Sequence, residues 1–587
     1  MAITVATSAS GRCLAHADAA EEAAYLASLS PGADLDLRGT TLDGTLLDRI
    51  LIAMNDPTSG QPIVGHAKFS EVTFAGDAWF EEVTFTTYVS FGAATFSGQA
   101  EFTGATFNGY AEFSLATFGE DADFEGATFA ENSDFTTAKF ARWANFTSAT
   151  FSGDASFRKA NFAYYADFDN ATFAGSAAFG SAAFAEDAGF KLAAFSSAAW
   201  FAGAYVAGDA NFASPTFAGA PELGPLVCRG TAGFRGATFG TAVTVQVAAK
   251  TVDFRGARWT QQATVWLRYA DVDLSDSLAE YPVTVAARPG SLVDTNFSPA
   301  EAVLAWELPT DQVRVTSLRG VDAAQFMLTD LDLSRCRFAG TVHLDQLRLE
   351  GDCRFAGTPA GIHSSVRRPF VRYTRRSTLA EEHQWRHSLP DAVAGWQPPA
   401  HAGSVVQPRA LAAVYRALRK SYEDAGNAPG AADFYYGEME MRRADPRTAP
   451  AERGLLTAYW ALSGYGLRAT RALGWLLLAV TLTMLVMMLW GLPQRDTPSL
   501  STGTLTGRRI TMTTGSPDPQ NPTGPTADRL TGRRFEKSLR VVVNSVIFRS
   551  SGQDLTTTGT YTEMASRLTE PVLLGFAALA VRGRIKR

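Results

Sequence analysis

The sequence predicts a mainly β fold, a long solenoid, that runs through a helical segment into helices at a membrane. Three observations predict it: phenylalanines recurring with a period of eleven, a small residue two places before almost every one, and an unbroken uncharged run from Ala472 to Leu492. The composition agrees, since Phe supplies 39 residues against 11 Trp and 16 Tyr, a bias expected of a repeat. A chain of 587 residues holds several folded units at roughly 100 to 200 residues each. With 46% hydrophobic and 19% charged residues it is too apolar for disorder.

In chain order, residues 1–65 read as an N-terminal cap. Ala24 to Leu29 has helical character, and Leu35-Asp-Leu37 with LDGTLLDRIL closes the first coil against an open β-edge. The start lacks a basic stretch followed by an apolar core, so the expectation is a cytoplasmic N-terminal region.

Residues 66–240 carry the regular repeat. From Phe69 to Phe217 the steps alternate five and six, and 27 of 28 register positions are Phe, the exception being Val206. Phe69, Phe80, Phe91, Phe102, Phe113, Phe124, Phe135, Phe146, Phe157 and Phe168 are the structural core residues expected from one half of this series. Alanine stands two places earlier in 23 of the 28 cases, as in Ala100-Glu-Phe102. A helix is excluded, because steps of five and six turn successive rings by about 140° and 240° and scatter them around the axis. In extended chain, residues i and i−2 share a side, so each Ala-x-Phe triplet sends one small and one large side chain inward. Coils stacked at about 4.8 Å then bury columns of Phe that a lone repeat could not bury.

These small-x-Phe units resemble the pentapeptide-repeat family, strongly from Ala67 to Phe217. The resemblance implies a right-handed quadrilateral β-helix with four units per coil. Two units here take eleven residues, so a coil should be two residues longer than one built on a strict repeat of five, with two kinds of corner. The register continues through Leu223, Cys228, Phe234 and Phe239 beneath the PELGP interruption. Residues 241–357 read as an irregular stretch, with a helix suggested by SPAEAVLAWEL, and then as resumed repeats. In the resumed block Leu333, Phe338, Leu344, Leu349 and Phe355 point inward, with Leu331, Cys336, Val342, Leu347 and Cys353 two places earlier. Three of the four cysteines thereby become buried small hydrophobes.

Residues 358–408 form a basic linker. Arg367, Arg368, Arg372, Arg375 and Arg376 alternate with Phe370 and Tyr373, a pattern that suits anionic headgroups or a partner surface. Residues 409–470 suggest a helical hairpin, with Leu411, Val414, Tyr415 and Leu418 on one stripe and GNAPG as the break. This segment resembles the helical module that joins repeats to membrane in actinobacterial-type pentapeptide-repeat membrane proteins.

Residues 471–492 form a transmembrane helix, flanked by Arg468 and Arg471, with Trp475 and Trp490 at its two interfaces. Residues 493–534 read as a flexible loop rich in Thr, Pro and Gly. Residues 535–587 hold an interfacial or re-entrant helix, Phe535–Phe548, and a second membrane helix ending in the basic tail RGRIKR. The tail favours a cytoplasmic C-terminus. The order of these elements resembles a degenerate two-helix pore-loop channel, which makes an ion channel with the solenoid as its sensor domain an alternative, although VIFRSSGQD places Arg549 where a cation path would run.

No constellation for chemistry emerges. His383 and His387 lie one helical turn apart without a third ligand, and read as surface histidines; Gly464-Tyr-Gly466 follows no strand of a βαβ unit. No enzyme activity, cofactor or metal is expected. The net charge of −7 does not invite nucleic acid. Ala67 to Phe217 carries 18 acidic and 6 basic residues, which makes an acidic DNA mimic acting on a topoisomerase an alternative. The expectation is a non-catalytic scaffold in the plasma membrane, with the solenoid cytoplasmic. Its partners would be the lipid bilayer and a protein, with self-association left open.

Overall fold

A computed structural model describes residues 19–288, 312–361, 363–365, 368–390, 404–494, 500–506, 509–515, 519–548 and 554–585, with a few isolated positions. The helix suggested by SPAEAVLAWEL, and Arg367 and Arg549, lie outside the described residues. The chain divides into two compact units, 1–427 and 428–587, so the boundary cuts the segment 409–470 read as one module.

The first unit is a β-solenoid of about twelve turns between residues 63 and 350. Each regular coil contributes four two-residue strands that pair in parallel with the coils before and after. Paired residues stand twenty-two positions apart: Ala100 pairs with Ala122, Thr106 with Thr128, Ala111 with Ser133 and Thr117 with Lys139. The ladder follows from the triplet. Phe102 N–H donates to Asp123 C=O at 2.6 Å, and Phe124 N–H donates to Asn145 C=O at 2.7 Å.

Inside, the rings form columns along the axis. Phe113 stacks on Phe135 with centroids 4.7 Å apart and planes 1° apart, and meets Phe124 edge-on at 5.5 Å and 89°. Both are favoured aromatic arrangements, so the columns interlock. The ten phenylalanines from Phe69 to Phe168 named above are all 0% exposed.

The two step lengths make two corners. The five-residue step closes a β-turn: Ala105 N–H donates to Phe102 C=O at 3.0 Å, with Gly104 at φ 65°. The same place recurs every eleven residues, and most of its occupants are not glycine: Glu71, Glu82, Ala93, Leu115, Thr137, Lys159 and Leu192 all have φ between 54° and 60°. A left-handed non-glycine residue costs roughly 1–2 kcal/mol. Leu115→Gly is therefore expected to raise stability by up to about 1 kcal/mol, less the entropy glycine loses on folding, because Leu115 is 59% exposed and packs little. Denaturant unfolding checks this against Ala116→Gly, one residue on and fully buried, which should destabilise where the first change stabilises.

The six-residue step brings backbones together. A Cβ at Gly175 would sit 2.4 Å from the carbonyl of Gly153, so only glycine fits. Next to this glycine a carboxylate ties coil to coil: Asp154 Oδ1 accepts from Ser176 N–H at 2.8 Å, and Asp187 Oδ1 from Asp209 N–H at 2.7 Å.

The solenoid starts before residue 66. Leu35 pairs with Ala67 and Thr41 with Thr73, so the first coil is built from the expected cap. Helices α1 (Ala19–Ser28) and α2 (Gly44–Ala53) belong to this end, with Asp43 capping α2 through Leu46 N–H at 2.8 Å.

Within the stretch read as irregular, residues 243–287 form a regular solenoid of another period. Val206 still pairs with Cys228, but from Phe234 the coil is two residues shorter: Thr238 pairs with Arg258, and Val265 with Val285. Longer strands, Val243–Asp253 and Ala263–Arg268, replace pairs of short ones, and alternating Val and Leu fill the core. One inward assignment is corrected. Val342 is 49% exposed, because the chain leaves the strand path at His343, φ 47°, and enters a 3-10 turn, Leu344–Gln346. Cys228 and Cys336 are buried, whereas Cys353 is half-buried.

Two helices, α3 (Ala380–His387) and α4 (Pro408–Asp424), close the other end. Ser421 Oγ donates to Leu347 C=O at 2.6 Å, and Lys420 reaches Asp345 at 2.6 Å. The second unit holds α5 (Ala428–Ala444), α6 (Pro450–Ser463), α7 (Ala469–Val486, extended by a π-turn to Gly491), α8 (Gly532–Phe548) and α9 (Thr557–Ile585).

Candidate functional site

On the outside of the solenoid each strand contributes one side chain, and equal register lines these up. One face carries Glu101, Asp123, Asn145 and Asp167 in successive coils. Another face carries threonine, as in the pairs Thr84–Thr106 and Thr128–Thr150. Asn145 Nδ2 donates to Asp123 Oδ1 at 2.9 Å, which separates the charges of Asp123 and Asp167. Crowding disfavours ionisation along this side. Partial burial, then the neighbouring Asp123 and Glu81, raise the Glu101 carboxyl, and burial followed by Asp167, Asp169 and Asp187 pushes Tyr165 up to about 12. This face is a fixed row of anionic and amide groups on a rigid core.

The basic segment divides. Arg368–Val371 forms a short antiparallel hairpin with His363–Ser365, and Arg372 and Arg375 are exposed. Arg376 does not belong with them, contrary to its assignment as a headgroup or partner contact: its side chain is 2% exposed. Its Nη2 donates to both carboxylate oxygens of Glu382, at 2.6 and 2.8 Å, and Nη1 donates to Tyr415 Oη at 3.1 Å. Arg386 Nε donates to Glu382 at 2.6 Å, Tyr415 Oη donates to Glu382, and Leu379 N–H donates to Tyr415 Oη at 3.1 Å. Burial alone would raise the Glu382 carboxyl; the charges of Arg376 and Arg386 outweigh it and hold the group at about 2. The Glu382 carboxylate is matched on both oxygens, so the buried ion pair serves to fix the cap.

His383 is likewise buried rather than at the surface, its Nε2 2.8 Å from Thr378 Oγ1 and its ring 4.8 Å from that of Trp396. Glu381, which the sequence left without a role, accepts from Phe338 N–H at 2.5 Å and Ala339 N–H at 2.9 Å. In regular coils the N–H at the Phe338 place donates to the next coil, as Phe102 N–H does to Asp123 C=O, whereas the N–H at the Ala339 place is bound by its own strand, as Glu125 N–H is by Asp123 Oδ1. The Gly464–Gly466 motif is the turn that ends α6, with Gly464, Tyr465 and Gly466 all at positive φ.

In the second unit, Ala469–Gly491 and Thr557–Val581 are long and apolar enough to cross a membrane, with mean hydropathy 2.3 and 1.3. Only 17% and 22% of them is buried, unlike the core helix of a soluble domain. They pair antiparallel: Gly491 packs on Gly559, Thr483 Oγ1 donates to Glu570 Oε1 at 2.8 Å, and Tyr459 of α6 meets Phe576 at 6.0 Å. Close approach through glycine is typical of membrane helices. At the far end of α7, Arg534 donates to the carbonyls of Met488, Leu492 and Pro493 at 2.8–3.0 Å, and Arg529 to that of Leu489 at 2.9 Å. Carbonyls at a helix end lack helical partners, and two cations there also suit the helix dipole.

Among the described residues no group of three or more His, Cys, Asp or Glu is arranged to hold a metal ion. Comparison with protein families matches pentapeptide repeats, in nine copies, over residues 63–106, 91–139, 102–149 and 135–183. Searches of the curated proteins and of the solved structures found no match. The four-unit coil, the inward Phe columns and this match identify residues 63–183 as pentapeptide repeats.

Proposed function

We propose that the chain is a non-catalytic scaffold, held in the cell membrane by α7 and α9, whose solenoid offers its acidic face to a basic protein surface in the cytoplasm. The observation that carries this reading is the in-register row of Glu101, Asp123 and Asp167, spaced by a buried Asn145, on a core filled with stacked phenylalanine. A rigid lattice of charges presents a complementary surface at little conformational cost. The cytoplasmic side is supported by Arg468 and Arg471 before the first span and the basic tail after the second, which an antiparallel helix pair leaves on one side.

The test is photo-cross-linking in intact cells, with the full chain carrying a photoreactive residue at Thr103, beside the row. Cross-linking should capture a cytoplasmic protein, and Glu101→Lys with Asp123→Lys should abolish the capture. Capture that survives this double charge reversal, or none above a threonine-face control at Thr128, would refute the reading.

A further inference from the structure

A carboxylic acid stands in the middle of the helix pair. Glu570 lies near the centre of the second candidate span, Thr557–Val581, and Thr483 near that of the first, Ala469–Gly491. Glu570 is 0% exposed. One carboxylate oxygen accepts from Thr483 Oγ1 at 2.8 Å, and the other has no hydrogen-bond partner. One turn earlier, on the stripe that faces α7, Ser566 is 2% exposed and its hydroxyl also has no partner.

The surrounding charges do not neutralise Glu570. On its own helix, Arg567 is bound to Glu563 at 2.7 Å. Helix α7 has no charged residue between Ala472 and Leu492. Helix α8, which packs on α9, carries Arg533 and Lys537 besides Glu536 and Arg540, the last two bound to each other at 2.6 Å. Its Arg534 is engaged with the carbonyls at the end of α7. From α6, the titratable group nearest in the stack is the Tyr459 phenol, against Phe576.

We propose that Glu570, Ser566 and Thr483 form a binding site for a single hard positive charge, a proton or a sodium ion, within the membrane. A buried carboxylate without a cationic partner demands a positive charge, and ionisable groups in a span face such sites. The donor set is one carboxylate and two hydroxyls, all hard oxygen, which suits a proton or an alkali cation. One negative charge is balanced by one positive charge, which favours a monovalent over a divalent occupant. Access comes from a groove of about 760 Å³ between α7 and α9, whose lining includes Thr483, Ser566, Thr569, Leu482 and Trp475. The inference rests on the membrane reading of α7 and α9 and is independent of the scaffold role.

The test is labelling by a hydrophobic carbodiimide, which reacts with protonated carboxyls in apolar surroundings. The full chain is reconstituted in vesicles of neutral lipid and modification at Glu570 is read by mass spectrometry from about pH 5 to pH 9. Labelling should rise several-fold as the pH falls. If the occupant is sodium, sodium chloride should suppress labelling at fixed pH where choline chloride of equal ionic strength does not; if it is a proton, the two salts should act alike. Ser566→Ala and Thr483→Val should each move the pH of half-labelling. Labelling at Glu570 that is absent throughout, or that responds to neither pH nor sodium, overturns the site. An unmoved midpoint in both variants overturns the three-residue assignment. The scaffold reading, tested by cross-linking on the solenoid, stands or falls separately.

Discussion

Replacing Phe124 by alanine is expected to cost ~3–5 kcal/mol, the range for deleting a fully buried aromatic ring. Phe124 is 0% exposed and is enclosed by other rings: Phe102 and Phe146 stack on it at 4.7 and 4.8 Å, and Phe113 and Phe135 meet it edge-on at 5.5 Å. None of these can move far into the gap, because each is held by a further ring: Phe102 by Phe80 and Phe146 by Phe168, both at 4.9 Å, and Phe113 and Phe135 by each other at 4.7 Å. Glu120→Ala, by contrast, should change stability by less than about 0.5 kcal/mol, since its side chain is 51% exposed and its ion pair with Arg142 spans 3.5 Å at the surface. Denaturant unfolding of the two variants checks this, and equal losses would undo the inward assignment. Coils couple to their nearest neighbours, so the Phe124 variant should also split the transition into two phases.

The second large effect concerns the cap. Arg376→Ala should cost ~3–5 kcal/mol of cap stability, because it leaves the Glu382 carboxylate buried beside Arg386 alone. Arg372→Ala, at an exposed neighbour, should cost little. The pH dependence has a definite sign. Glu382 falls from 4.5 in the unfolded chain to about 2 in the fold, so its contribution is complete above pH 4.5 and is lost as the pH drops towards 2. The amount at stake is about 3 kcal/mol. Hydrogen exchange at Leu344–Leu347 and α4, followed from neutral to acid pH, should show protection declining across that interval, and Glu382→Gln should flatten the decline. Protection unchanged in Arg376→Ala would refute the role given to the pair.

Sequence and structure agree where one residue type carries one geometric duty. Phe69 to Phe217 marked the inward face, and the alternation of five and six set the coil length, because a bulky ring has one place to go in a thin solenoid. The left-handed corners were hidden, since Glu71, Leu115 and Lys159 give no glycine signal and neighbouring coils hold their backbone in place. The stretch from 243 to 287 looked irregular because its core is Val and Leu. Its signal was present as VTVQV, ATVWL and VTVAA, one per coil at equal intervals. Arg376 could not be told from Arg372 or Arg375 in a run of arginines, for its burial depends on Tyr415, 39 residues away. The second candidate span was obscured by Arg567 and Glu570. In the folded chain Arg567 binds Glu563 and Glu570 is met by Thr483, so neither stands as a bare charge on the helix surface.

Interchangeable coils have no length of their own. Each regular turn ends in the same row of donors with which it began, and any further turn, from this chain or from another molecule, would fit that row equally well. What stops the series is the helical cap, and one carboxylate of that cap takes the place of a strand. The Glu381 side chain receives Phe338 and Ala339 in place of a following strand. A solenoid of this kind is measured by its end-stop, and growth by duplication of a turn leaves the end-stop untouched, so the rod can lengthen over evolutionary time without redesign of either terminus.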